Sequence, residues 1–385
     1  MWTEKSFAEL GYTYTGLSGK NKSDFGSGEP YIPYMNVFSN ESIDPDVFEY
    51  VQIKKGENQN AVAVGDALFT TSSETPEEVG MSSVLTEDVG TVYLNSFCFG
   101  LRFYNPTDFD PTFLSYALRS ERIRKQMFIA AQGSTRHNLS KLNFNRMKLR
   151  YPTSTKEQSH IAAVLTVADE AIAASRSLVE KYTAVKQGLM RDLLTGNGSL
   201  NRFSEIADPI SRKGSANGRI CINMDCVESG TGELLPIVDA ENSSAKTEFV
   251  AGDVLFGKLR PYLRKYWLAT FDGVCSSELM VFRAKPNIRR QYLYYIVSSN
   301  AFIEYNNSQT YGTKMPRTSW SIIKQYKTNI PNISEQDRVI EVLSAADERL
   351  ATERERLMKL EYIKRGLMDD LLTNKVSTDK LQGGI

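Results

Sequence analysis

Residues Glu157 to Thr195 read EQSHIAAVLTVADEAIAASRSLVEKYTAVKQGLMRDLLT, and residues Glu335 to Thr373 read EQDRVIEVLSAADERLATERERLMKLEYIKRGLMDDLLT. The two align without a gap at an offset of 178, with nearly half of the positions identical. So long a match means duplication, and a repeat of this kind sets the whole architecture. It continues upstream at an offset of 179: Phe113 to Tyr116 matches Tyr292 to Tyr295, Gly133 matches Gly312, Ser140 matches Ser319, and Pro152 matches Pro331. Further back, Gly65-Asp-Ala-Leu-Phe69 matches Gly252-Asp-Val-Leu-Phe256 at an offset of 187, so the intervening parts differ in length.

Both long segments are rich in Ala, Leu, Glu, Lys and Arg and lack proline, which makes them helical. Apolar residues recur at alternating steps of four and three: Ile161, Leu165, Ala168, Ile172, Val179, Tyr182, Leu189 and Leu193, then Val339, Leu343, Ala346, Leu350, Leu357, Leu360, Leu367 and Leu371. This is a heptad seam. Ser154 or Thr155, and Ser334, are candidate amino-terminal caps. At about 1.5 Å per residue each helix should run on the order of 55 Å. The seam is interrupted at matching places, by Ser175 and Glu353 and by Lys186 and Lys364; polar seam residues lower stability but set register and partner. The simplest arrangement pairs the two helices antiparallel around a pseudo-twofold. Self-association of the chain with a second copy is the competing reading. Gly188 and Gly366 each cost about 1 kcal/mol inside a helix, so each is expected to admit the close approach of another backbone.

Residues 1–150 and 201–330 alternate short β-rich runs, such as Val92 to Leu94, Phe97 to Phe103 and Leu279 to Phe282, with turns rich in Gly, Asn, Ser and Pro. Each ends in a helical stretch, Pro111 to Ile129 and Ile288 to Asn306, followed by a glycine turn. The fold class is therefore α+β: two similar α+β domains, 1–152 and 198–331, alternating with two long helices, 153–197 and 332–378, that pair as an antiparallel coiled coil.

Composition fits a globular chain of more than one domain: 385 residues, 41% hydrophobic and 24% charged. The 46 basic and 46 acidic residues cancel, which taken alone argues against a nucleic-acid binder. Base is nonetheless concentrated in Arg119 to Arg150 and in Lys258 to Lys265, and local patches govern phosphate contact. Four scattered cysteines, Cys98, Cys221, Cys226 and Cys275, complete no zinc spacing and read as reduced thiols. The amino terminus has no signal-peptide pattern, and no apolar run approaches the roughly 20 residues of a membrane span, so a cytoplasmic location is expected.

Two local patterns suggest contact with DNA. The turn after each domain's helical stretch carries Ser134, Thr135 and Arg136 with Lys141 in the first half, and Thr313, Lys314 and Arg317 in the second. Glycine lets such a loop approach a partner, and these side chains donate to phosphates and base edges. An ordinary solvated turn is the plainer reading of one copy; recurrence favours function. After the second Gly-Asp-x-Leu-Phe, Lys258, Arg260, Tyr262 and Arg264 interleave cations with an aromatic ring. The first half continues with polar Thr70 to Glu74 instead, which fits either two different targets or drift. Gly16 to Lys22 lacks the phosphate-loop spacing and reads as a polar loop.

No catalytic set is legible. His137 and His160 have no triad or metal partners, and there is no dinucleotide fingerprint, Walker motif or asparagine-proline-proline-tyrosine motif. No catalytic or metal-binding residue is expected.

The pattern resembles the specificity subunit of type I restriction-modification systems. The carriers are Gly-Asp-x-Leu-Phe at Gly65 and Gly252, the turns at Gly133 and Gly312, and Pro152 and Pro331 ahead of Glu157-Gln158 and Glu335-Gln336. The ending Gly-Leu-Met-x-Asp-Leu-Leu-Thr at Gly188 and Gly366 completes them. The resemblance implies a non-catalytic subunit whose two target-recognition domains each read half of a split, asymmetric site in double-stranded DNA, with the paired helices as a ruler. It also implies a scaffold for two methyltransferase subunits, which use S-adenosylmethionine, and for ATP- and Mg-dependent restriction subunits; this chain itself would bind no cofactor. The helix-pair and partner interface would draw on Leu165, Ile172, Gly188, Leu189, Leu193, Leu343, Leu350, Gly366, Leu367 and Leu371. A coiled-coil adaptor that binds protein rather than DNA is the alternative from another class, and a fused fragment with its own nuclease activity is a third.

Overall fold

The computed structural model describes residues 1–133, 136–196, 198–214, 219–236, 246–310 and 315–376. The chain divides into two compact units, Met1–Ala174 with Leu357–Ile385, and Ser175–Arg356. The division falls inside both long helices, so each unit holds one β-rich domain together with part of each helix.

In the first unit Trp2–Ser6 pairs antiparallel with Lys148–Pro152. The central antiparallel sheet runs in the order Gly11–Thr15, Cys98–Phe103, Ala67–Thr70, Ser82–Val84. A second, mixed sheet orders Glu49–Val51, Phe25–Ile32, Val92–Leu94 and Ala61–Val62. The second unit repeats the plan. Ser199–Arg202 pairs with Lys327–Ile330, and its central sheet runs Ala207–Ile210, Leu279–Ala284, Val254–Gly257, Tyr266–Leu268. The helical stretch expected in each half is two helices: α1 (Pro111–Arg119) and α2 (Glu121–Ala130) in the first. The long α3 (Thr155–Leu194) follows; then come α4 (Arg290–Ser298), α5 (Asn300–Ser308) and the long α6 (Ile333–Leu372). Extended backbone at Ser120 and at Ser299 makes each break, and the Ser299 hydroxyl caps α5 by accepting from the Phe302 amide at 3.2 Å.

The repeated Gly-Asp-x-Leu-Phe motif has a structural cause. Gly65 and Gly252 turn the chain with φ of 85° and 92°, a left-handed backbone that favours glycine. The buried Asp66 carboxylate accepts from the Ala63 amide at 2.9 Å, the Tyr14 hydroxyl at 2.6 Å and Arg102 Nε at 2.9 Å. Asp253 accepts from the Val250 amide at 3.0 Å and from both Nε and Nη2 of Arg283 at 2.8 and 2.7 Å. Each aspartate thus ties its turn to the neighbouring sheet strand through a bidentate arginine. The Leu and Phe that follow are buried: Phe69 packs with Phe7 and Phe144, and Phe256 with Phe302.

The Glu-Gln that opens each long helix is equally structural. Gln158 is fully buried; its amide donates to the carbonyls of Asp108 and Pro152 at 3.0 and 2.8 Å, and its carbonyl accepts from the Asp110 amide at 2.8 Å. Gln336 makes the same three contacts, to Asn287, Pro331 and Arg289. One side chain therefore satisfies three backbone groups where the helix meets its domain. Ser154 caps α3, its hydroxyl accepting from the Glu157 amide at 3.4 Å. For α6 the cap is Asn332, accepting from the Glu335 amide at 3.0 Å, rather than Ser334, because α6 begins one residue before that serine.

The long helices run antiparallel. In the first unit Lys364 of α6 pairs with Asp169 of α3 at 2.6 Å, and Tyr116 of α1 donates to the same carboxylate at 2.8 Å. In the second unit the roles reverse between the helices: Lys186 of α3 pairs with Asp347 of α6, which also accepts from Tyr295 of α4 at 2.9 Å. Burial pushes both tyrosine hydroxyls up, so they stay neutral donors. Around these clasps Ile161 and Leu165 share the first unit's core with Leu371 and Leu372, while Met190 and Leu194 share the second unit's core with Val339 and Leu343. Ile172 and Leu350 are also buried. Leu189, Leu193 and Leu367 are only partly so; Leu189 and Leu193 pack at the edge of the second unit's core and Leu367, with Met368, at the edge of the first's. The glycine expectation fails within the chain: a Cβ at Gly188 or Gly366 would meet nothing within 4 Å.

Replacing Gln158 or Gln336 with leucine should lower folding stability by about 2 kcal/mol or more, since three buried backbone groups lose their partners. Chemical denaturation of each variant checks this, and an unchanged midpoint would refute the assigned role.

Candidate nucleic-acid interface

Two separately chosen segments meet in the second unit. After Gly257 the chain turns through a short 3-10 turn, Pro261–Leu263, flanked by Arg260 and Arg264, both left-handed with φ of 50° and 52°. Such backbone in a non-glycine residue costs about 1–3 kcal/mol and persists only where surroundings enforce it. The enforcement is backbone pairing with the segment after the glycine turn. The Arg260 amide donates to the Pro316 carbonyl at 2.8 Å, the Thr318 amide donates to the Lys258 carbonyl at 3.0 Å, and Leu259 bridges Arg317. Thr318 is anchored below by its hydroxyl, which donates to the buried Asn306 Oδ1 at 2.6 Å.

This junction gathers Lys258, Arg260, Tyr262, Arg264 and Arg317. Lys258 Nζ donates to the Ser277 carbonyl at 2.6 Å, and Arg264 Nη1 to Asn300 Oδ1 at 2.6 Å. Arg317 stands 3.3 Å from Glu278 while half of its side chain stays exposed. Tyr262 and Met315 are also exposed. The result is a surface that presents guanidinium groups, an ammonium and an aromatic ring together, the donor set that suits phosphates and base edges. Lys265 does not join it: its ammonium donates to the Val227 carbonyl at 2.5 Å in a partly buried contact, whereas the Lys258 contact to Ser277 is exposed.

The first unit builds the same junction from different residues. Ser72–Ser73, just past the central strand, pairs antiparallel with His137–Leu139: Ser73 faces His137 and Ser72 faces Asn138. The Leu139 amide donates to the Thr71 carbonyl at 3.1 Å. Gly133 takes a φ of 124°, and a Cβ there would sit 2.2 Å from the Arg136 carbonyl, so the turn requires glycine. Arg136 is exposed beside this strip, and Lys141 is exposed at the start of the next short helix. Tyr34, whose hydroxyl donates to the Ser72 carbonyl at 3.0 Å, adds an aromatic ring. The first surface is thus hydroxyl-rich with few cations. Ser134, Thr135, Thr313 and Lys314 lie outside the described residues.

The basic stretch from Arg119 to Arg150 is not one phosphate patch. Arg119 donates from Nε and Nη2 to the carbonyls of Ser82, Val37, Phe38 and Asn40. Burial pulls its guanidinium down to about 10. Arg124 donates to the carbonyls of Gly80, Glu77 and Val79, and Arg122 pairs with Glu4. These cations close loops onto α1 and α2, a tertiary use that charge counting cannot distinguish from an exposed patch. Among the described residues no group of His, Cys, Asp or Glu could hold a metal. All four cysteines are free and buried, and burial pushes the Cys98 and Cys275 thiols up to about 12. No helix among the described residues is long and apolar enough to cross a membrane.

The structure thus holds two α+β domains built on one plan with different surface residues, together with two long helices. The chain is similar to type I restriction-modification specificity subunits over part or most of its length. Residues 237–362 match the model of the type I restriction modification DNA specificity domain. The EcoDI specificity subunit of Escherichia coli is 28% identical over 153 residues, covering 38% of this chain and 34% of the relative. The MjaVIII specificity subunit of Methanocaldococcus jannaschii is 23% identical over 310 residues, covering 71% of this chain and 72% of the relative. The fold is shared with the S subunit of a type I restriction-modification system from M. genitalium, at 14% identity, TM-score 0.56 and 96% coverage of both chains. It is shared as well with a chain from a study of complex assembly and conformational transition in a type I system, at 14% identity, TM-score 0.63 and coverage of 96% and 97%.

Arg119→Ala should lower thermal stability, because four buried carbonyls lose their donor, whereas Arg136→Ala should leave the melting temperature unchanged. Parallel thermal melts of the two variants test this division; equal losses would contradict it.

Proposed function

We propose that the chain reads a two-part, asymmetric target in double-stranded DNA, one half-site with each α+β domain, and has no catalytic activity of its own. The observation that carries this reading is the junction built twice on the same backbone plan with different side chains: Thr71 to Ser73 against His137 to Leu139, and Lys258 to Arg260 against Pro316 to Thr318. A constant scaffold with changed donors is what two distinct base sequences demand. A hydroxyl-rich surface and an arginine-rich one would read different half-sites, and an asymmetric target follows.

The rest of the proposal rests on family likeness. The chain scaffolds two methyltransferase subunits and, through them, restriction subunits, in the cytoplasm. S-adenosylmethionine, ATP and Mg belong to those partners. The chain's zero net charge supports this division of labour, since much of the phosphate grip then comes from the partners. The paired long helices set the gap between half-sites, which are spaced by about one helical turn of DNA, ~34 Å.

Selection from a random duplex library by the chain co-purified with its methyltransferase partner tests the reading. Two short motifs at a fixed gap are expected. A complex that enriches no motif would favour the protein-binding adaptor. Arg317→Ala should weaken one half-site only, by about 1–3 kcal/mol if it touches a base; equal loss at both half-sites is the contrary result. Inserting seven residues within α3 should change the selected gap, and an unchanged gap in a folded variant would remove the ruler.

A further inference from the structure

Two partly buried polar contacts between the long helices repeat one another. Asp169 with Lys364 and Lys186 with Asp347 are the same contact made twice, because Asp347 and Lys364 stand 178 residues beyond Asp169 and Lys186. Each copy of the helix carries one aspartate and one lysine. Any antiparallel pairing of copies would therefore keep both contacts, whether first with second, first with first, or second with second. These contacts set direction and register but cannot choose a partner.

A contact at a single place in the seam can choose, as can the unrepeated stacking of Arg349 on Tyr182. Ser175 Oγ donates to Glu353 Oε1 at 2.6 Å, and the two residues are themselves 178 apart, so they occupy the same position of the repeat. An antiparallel pair of like helices has one such place, its midpoint, where a position meets its own counterpart. Both residues are buried, at 2% and 8% exposure. The nearby Arg356 lies 4.0 Å from the carboxylate, one turn along the same helix. First with second places a hydroxyl against a carboxylate, a short charge-assisted hydrogen bond. Second with second would place two buried carboxylates face to face, and like charges so placed repel strongly. First with first would place two hydroxyls together and lose the charge assistance.

We propose that Ser175 and Glu353 are partner-choosing residues of the helix pair. They favour pairing of the first helix with the second and penalise pairing of the second helix with its own kind from another copy of this chain. A single polar position that selects among otherwise similar coiled-coil partners follows the general behaviour of such seams. The inference does not depend on what the α+β domains bind.

The full-length chain can carry each like pairing at its midpoint. Ser175→Glu reproduces second with second, Glu353→Ser reproduces first with first, and the exchange variant Ser175→Glu/Glu353→Ser restores an unlike pair with the residues swapped. Thermal unfolding at neutral pH should rank the native chain and the exchange variant together. Glu353→Ser should fall below them, and Ser175→Glu lowest, by several degrees. Ser175→Gln, which adds bulk without charge, should fall less than Ser175→Glu. Equal losses for these two would assign the effect to crowding and overturn the proposal. So would an exchange variant as unstable as Ser175→Glu, or a Ser175→Glu chain that melts with the native one.

Discussion

A 40-residue helix with one apolar seam draws most of its stability from packing that seam against partners. Each long helix here must bury that seam against the other helix and against a β-rich domain, and the remainder of the molecule is arranged around this need. The Tyr-Asp-Lys clasp, made once in each unit, is where the requirement is met most specifically: an aspartate from one helix is held by a lysine from the other and by a tyrosine from the adjoining domain. Removing one member of such a partly buried cluster leaves a charge without its partner, at a cost that solvent screening reduces below that of a fully buried pair. The clasp therefore joins three elements with one group of charges, and it orders helix against helix and helix against domain at once.

The repeated motifs divide into those that build and those that vary. The Gly-Asp-x-Leu-Phe turn, the Glu-Gln at each helix start and the serine between paired short helices all satisfy buried backbone groups or hold a turn. They recur because the scaffold recurs. The residues beside them on the outer surface differ between halves: Ser72 and Ser73 in one, Arg260 and Arg264 in the other. On the second surface the left-handed backbone at Arg260 and Arg264 is enforced by pairing to the Pro316–Thr318 segment.

Much of this was legible in the residues themselves. The duplication and the helical period follow from spacing alone, whereas antiparallel pairing within one chain was the simpler of two arrangements that the same period allows. The polar interruptions at Ser175, Glu353, Lys186 and Lys364 were visible as interruptions. That Ser175 meets Glu353, and that the lysines meet Asp169 and Asp347 with Tyr116 and Tyr295 behind them, was not, because those contacts depend on how an antiparallel pair aligns and on a domain tyrosine many residues away. The basic run from Arg119 misled for a related reason: a sequence counts charges without saying which of them bond to carbonyls inside the fold.

The sequence by itself determined the plan of two copies of one α+β domain and two long helices, because period, duplication and residue type are local properties of the chain. Only the tertiary structure decided what each signal does. Backbone pairing across about 60 residues brings Lys258 to Arg260 beside Pro316 to Thr318, and a register shared by two helices sets Ser175 against Glu353. Both are contacts between residues far apart in the chain, and such proximity is settled by packing and closure of the fold rather than by any one segment's composition.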